Sequence, residues 1–103
     1  MKISYAITVH NELKELTELL NFLHPKIDKE DEIVIQYDTP NVSKEVLDYL
    51  KILESFHTQI KIVSFPLNKD FASYKNNLKK ECKGDYIFQI DADEIDRKST
   101  RLN

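Results

Sequence analysis

Residues 3–9 run Ile-Ser-Tyr-Ala-Ile-Thr-Val, with large apolar side chains at 3, 5, 7 and 9 and small ones between them. A period of two with neither face strongly polar predicts a strand buried on both sides. The period then lengthens. Leu13, Leu16, Leu20 and Leu23 fall on one helical stripe with Leu19 beside it, as in a helix that buries one face. Asn11 is the expected N-cap, Glu12 and Glu15 lie in the positive first turn, and Pro25 ends the helix near His24. Residues 33–37 (Ile-Val-Ile-Gln-Tyr) predict a second strand, and Asp38-Thr39-Pro40-Asn41 a turn. Ser43 caps a second helix whose stripe is Val46, Leu47, Leu50 and Leu53. Residues 60–65 predict a third strand, ended by Pro66. A third helix follows, capped by Asn68 or Asp70, with Phe71, Tyr74, Leu78 and Cys82 on its apolar side and Gly84 as its stop. Residues 86–90 (Tyr-Ile-Phe-Gln-Ile) predict a fourth strand that runs directly into Asp91-Ala92-Asp93-Glu94.

The order is βαβαβαβ. Helices alternating with buried strands predict an α/β fold, a three-layer open and mainly parallel sheet with helices on its faces. One domain is expected over residues 1–95. Residues 96–103 carry no apolar period and are read as a tail, a disordered end or non-native residues on a cut chain. Four strands leave a sheet edge open to pairing.

Composition narrows the function. The chain has 103 residues, enough for one small domain, and 41% of them are hydrophobic. Its 15 Lys and Arg against 18 Asp and Glu give a net charge of −3. That balance argues against a dedicated nucleic-acid binder, which needs a basic face to release counterions. The single cysteine, Cys82, excludes an internal disulfide. No apolar run approaches a membrane span, and no signal-like block follows Met1, so the expected location is cytoplasmic. The single glycine, Gly84, excludes both G-x-G-x-x-G and the phosphate loop, since each needs at least two.

Ligands of open parallel sheets bind beyond the carboxyl ends of the strands, where strand order reverses. Thr8, His10, Asn11 and Glu12 lie at the end of the first strand and Asp38 after the second. Asn68, Lys69 and Asp70 follow the third, and Asp91, Asp93 and Glu94 the fourth. The opposite edge shows ordinary charged loops such as residues 29–32. Turn chemistry alone is an equal account of Asp38 and Asn68. It is a poorer account of Asp91-Ala92-Asp93, because two carboxylates spaced i, i+2 after a buried strand repel unless a cation lies between them. Mg²⁺ and Mn²⁺ take carboxylate oxygen together with substrate phosphates, so the pair points to a metal that clamps a diphosphate.

Three blocks resemble family 2 glycosyltransferases of the GT-A fold. Residues 6–12 (Ala-Ile-Thr-Val-His-Asn-Glu) resemble the opening strand, which ends in a polar residue and Asn-Glu. Residues 68–76 resemble the block written N-x-G, small residues, then Arg-Asn. Residues 83–94 resemble the most specific block, which ends in D-x-D-d. The resemblance covers nearly all of residues 2–95 and implies the nucleotide-sugar-binding half of a hexosyltransferase-type enzyme. It implies that Thr8, His10 and Asn11, with Glu12 and Asn68 nearby, line the donor pocket. Asp38 would bond the base, most often uracil of a UDP-sugar, and Lys75 would stand in for the usual Arg. Asp91 would contact the ribose or the metal shell, and Asp93 would ligate Mn²⁺ or Mg²⁺. The sugar would pass to an unidentified acceptor, and the family's catalytic base would lie beyond Asn103, leaving this stretch inactive alone. Glu94 is too close to the metal pair for that task.

There are departures from the family pattern. Asp70 replaces the usual Gly, Asp38 precedes Thr-Pro-Asn rather than Gly-Ser-Thr-Asp, and Lys75 lacks the planar fork of Arg. A second class of function is a nucleotide-sugar or divalent-metal-binding module without turnover. A third, a receiver-like regulatory domain, expects its acidic residues after strands one and three rather than two and four. Cys82 and the Phe71–Tyr74 pair are read as packing, and His24 and His57 as surface or capping residues.

Overall fold

The structure, a computed structural model, describes the backbone of residues 1–91 and the side chains of residues 1–90. The elements are β1 (Ile3–Val9), α1 (Leu13–Leu23), a 3-10 turn (His24–Lys26), β2 (Glu32–Tyr37), α2 (Lys44–Phe56), β3 (Ile60–Ser64), α3 (Phe71–Glu81) and β4 (Tyr86–Asp91). All pairings are parallel, in the order β3-β2-β1-β4. The predicted α/β order is therefore observed. Right-handed crossovers explain the layers. Steps from β1 to β2 and from β2 to β3 run one way and place α1 and α2 on one face. The return from β3 past β1 to β4 places α3 on the other.

The larger core joins Ile7, Val9, Ile33 and Ile35 of the sheet to Leu16, Leu20, Val46 and Leu50 of α1 and α2. The smaller one joins Ala6 and Val34 to Leu78 of α3. The helical stripes read from sequence thus supply the buried residues, but Leu13, Leu47 and Cys82 are only partly buried and Phe71 lies outside the core. Phe71 is 63% exposed, and only Tyr74 and Leu78 of α3 are buried.

Caps differ from expectation in two places. Ser43 caps α2 as expected, its Oγ accepting from the Val46 amide at 3.3 Å. At α1 the N-cap position belongs to Glu12, which makes no side-chain cap bond, and Asn11 Oδ1 instead accepts from the Ser43 amide at 2.7 Å. Asn11 therefore ties the start of α1 to the start of α2. Gly84 does not adopt the left-handed backbone of a helix stop, since no glycine has positive φ. It is glycine because a Cβ there would lie 2.6 Å from the Ser4 backbone nitrogen. The close approach lets the Gly84 amide donate to Ser4 Oγ at 2.7 Å, which seats the start of β4 against β1.

The loop before β2 is more than a charged connection. Asp31 is 4% exposed, and its carboxylate accepts from the amides of Ile3 and Asp28, both at 2.9 Å.

Candidate functional site at the strand reversal

Strands are added on one side of β1 up to β3 and then on its other side at β4, so strand order reverses between β1 and β4, and the crevice at their carboxyl ends is where a ligand is expected. Thr8 stands there in register with Gln36 of β2 on one side and with Asp91 of β4 on the other. The three residues form one row across the sheet. Asp93 and Glu94, and with them the second half of the D-x-D, lie outside the described residues, as does the expected tail at 96–103.

Past the end of β1 the chain turns under local control. The amide of His10 donates to Glu12 Oε2 at 2.7 Å. The His10 ring lies nearly parallel to that of Tyr74, with centroids 6.4 Å apart and planes 13° apart. That is within the range of offset stacking. Tyr74 is 2% exposed. Burial first, then the nearby Asp38 charge, push its phenol well above the usual range.

Asp38 follows β2 and is 3% exposed. Asn41 Nδ2 donates to its Oδ2 at 2.8 Å, and the Leu67 amide donates to its Oδ1 at 2.9 Å. These bonds, with the charge of His10 adding to them, hold the carboxyl below its ordinary range against the opposing effect of burial. Each oxygen keeps a second lone pair, so the carboxylate can still accept from a ligand N–H.

Anchoring Leu67 shapes the next loop. The Asp70 amide donates to the Leu67 carbonyl at 2.8 Å, closing a turn around Asn68 and Lys69. Both have positive φ, 51° and 61°, as in a type I′ turn. Asn tolerates that region; Lys rarely adopts it. Asp70, which replaces the family's glycine, has φ −111° and caps α3, Ser73 donating its amide to Oδ1 at 3.1 Å and its hydroxyl to Oδ2 at 2.8 Å. The unusual backbone therefore lies one and two residues before Asp70. Asn68, in this turn, and Lys75, in the second turn of α3, are both exposed.

The residues brought together are therefore His10, Glu12 and Asp38, with Asn11 bracing the loop after β2 from behind. Sequence pattern alone did not point to Gln36, Tyr74 and Asn77. Gln36 is fully buried, its Nε2 donates to the Tyr74 carbonyl at 2.8 Å, and its Oε1 accepts from Asn77 Nδ2 at 2.8 Å. A polar residue inside an otherwise apolar strand, Ile-Val-Ile-Gln-Tyr, was the available signal. A cleft of about 470 Å³ adjoins this network beside α3, lined by Phe65, Ser73, Asn76, Asn77 and Lys80.

At the opposite edge the carboxylates of Asp28, Glu30 and Asp31 offer oxygens within 4.8 Å of one another. The Asp31 bonds to backbone amides give that group a structural task.

The fold agrees with the comparison to known families. The profile described as glycosyl transferase family 2 matches residues 4–102, nearly the whole chain, and the protein belongs to that family. Family membership assigns it to glycosyl transfer. No curated protein matches the chain. Among the described residues, no helix is long and apolar enough to cross a membrane.

Proposed function

We propose that this chain binds the nucleoside diphosphate of an activated sugar at the β1/β4 crevice and serves transfer of that sugar to an acceptor. The observation that carries the reading is the convergence of His10, Glu12 and Asp38 beside the Thr8–Asp91 row at the strand reversal. In this reading Thr8, His10, Asn11 and Glu12 form the nucleoside wall, and Asp38 accepts from the base N–H, uracil in a UDP-sugar. Asn68 and Lys75 flank the phosphates from the β3 side. Lys75 acts there as a point charge rather than a fork.

The donor set suits a hard cation, since Asp91 and Asp93 supply only carboxylate oxygen. They would hold Mn²⁺ or Mg²⁺, which when bound offsets the charge of the diphosphate leaving group. The residues of this chain bind and orient the donor. No residue is assigned as the base that deprotonates the acceptor hydroxyl.

Calorimetry of the folded chain with UDP, in the presence and absence of Mn²⁺, tests the reading. Saturable binding that tightens with Mn²⁺ is expected, and Asp93→Ala removes the tightening. A module that binds without turnover gives the same heats but no sugar release from a labelled UDP-sugar.

A further inference from the structure

We propose that Tyr74 is a positioning residue for His10, holding the imidazole as a preset wall of the nucleoside pocket. The inference rests on the nucleotide reading of the site and adds a residue to it. Tyr74 is tied at both ends to one residue of the sheet. Its hydroxyl donates to the Gln36 carbonyl at 3.3 Å, and its own carbonyl accepts from Gln36 Nε2 at 2.8 Å. Both residues are buried, Gln36 fully and Tyr74 to 2% exposure. A satisfied buried network of this kind fixes one arrangement. Phe65 packs on the Tyr74 ring, with centroids 6.3 Å apart and planes tilted by 57°.

His10 is held differently. It is half-buried, its amide is fixed by Glu12, and its ring meets Tyr74 nearly in parallel. Without that stack the imidazole would sample several rotamers at the end of β1. With it, the ring orientation is settled before a ligand arrives, and the ordering cost of binding falls. The phenol takes no part as an acid, because burial keeps it neutral.

The test uses UDP as the probe with three variants. Tyr74→Leu removes the ring and is expected to weaken UDP binding roughly 3- to 10-fold, the loss expected from freeing one side chain. Tyr74→Phe retains the ring and is expected to bind within about twofold of the parent, as a stacking role requires. In a double-mutant cycle, Tyr74→Leu adds little once His10→Ala has removed the imidazole. NMR supplies a readout without ligand. The His10 ring protons should show a nuclear Overhauser contact to the Tyr74 ring and upfield shifts that Tyr74→Phe keeps. That measurement on the parent chain decides the stack even where Tyr74→Leu fails to fold; its absence overturns the proposal. UDP binding by the parent that Tyr74→Leu leaves unchanged, or losses that add in full, overturn the positioning role alone. Failure of the parent to bind UDP overturns the nucleotide reading and this role with it.

Discussion

Asp38 carries two tasks in this account, and the structural one can be measured without a ligand. The residue is 3% exposed, and its carboxylate receives the Leu67 amide at 2.9 Å and Asn41 Nδ2 at 2.8 Å. A hydrogen bond to an ionised group contributes about 1.5–3 kcal/mol. Asp38→Ala deletes both acceptors and leaves the Leu67 N–H without its partner, so a loss of about 3 kcal/mol is expected. Asp38→Asn keeps an acceptor for Leu67 but sets one amide donor against that of Asn41, for about half that loss, roughly 1.5 kcal/mol. With a urea m-value of about 1–1.5 kcal/mol/M, the Ala variant unfolds about 2–3 M earlier. Circular dichroism at pH 7 reads both shifts.

The pH dependence has a definite sign. The folded carboxyl lies below its unfolded value, chiefly through the Asn41 bond and then the Leu67 bond. Its contribution is complete above the unfolded value of about 3.9 and is lost as pH falls through the folded one. The gap between the parent and Asp38→Asn is therefore flat near neutrality and narrows below about pH 4. A loss under about 1 kcal/mol for Asp38→Ala, or a gap that widens on acidification, refutes the anchoring role.

Two further predictions concern the frame around the site. Gly84→Ala drives a Cβ to 2.6 Å from the Ser4 nitrogen. The overpacking and the disturbed Gly84–Ser4 bond together cost about 2–4 kcal/mol, which lowers the melting temperature by about 8 °C or more. A calorimetric scan that shows no change contradicts the close approach. Cys82, its thiol pushed up to about 11 by burial with Glu32 adding to it, reacts with iodoacetamide at pH 8 roughly 100-fold more slowly than a cysteine of ordinary pKa. Parity in rate with a free thiol removes that environment.

What was legible in the sequence follows from the range of the interaction that fixes each residue. The βαβαβαβ order and the buried stripes were readable because hydrophobic period is a local property, visible within a dozen residues of Leu13 or Val46. The carboxyl-edge placement of His10 and Asp38 followed from that order alone. Errors arose where a distant partner decides. Asn11 looks like a cap until Ser43, 32 residues away, takes its side chain. Gly84 looks like a helix stop until Ser4, 80 residues away, shows why no Cβ fits. Phe71 continues the apolar stripe of α3 by spacing, yet it falls in the first turn, and the sheet is met only from Tyr74 onward. The Gln36–Tyr74 pairing, 38 residues apart, left only a lone polar residue in a strand as its trace.

Donor binding at the β1/β4 crevice is best tested by titrating UDP into the folded chain by calorimetry. One saturable site is expected, tighter with Mn²⁺ than without, with that difference lost in Asp93→Ala. A folded chain, verified by circular dichroism, that gives no binding heat with or without the metal contradicts it.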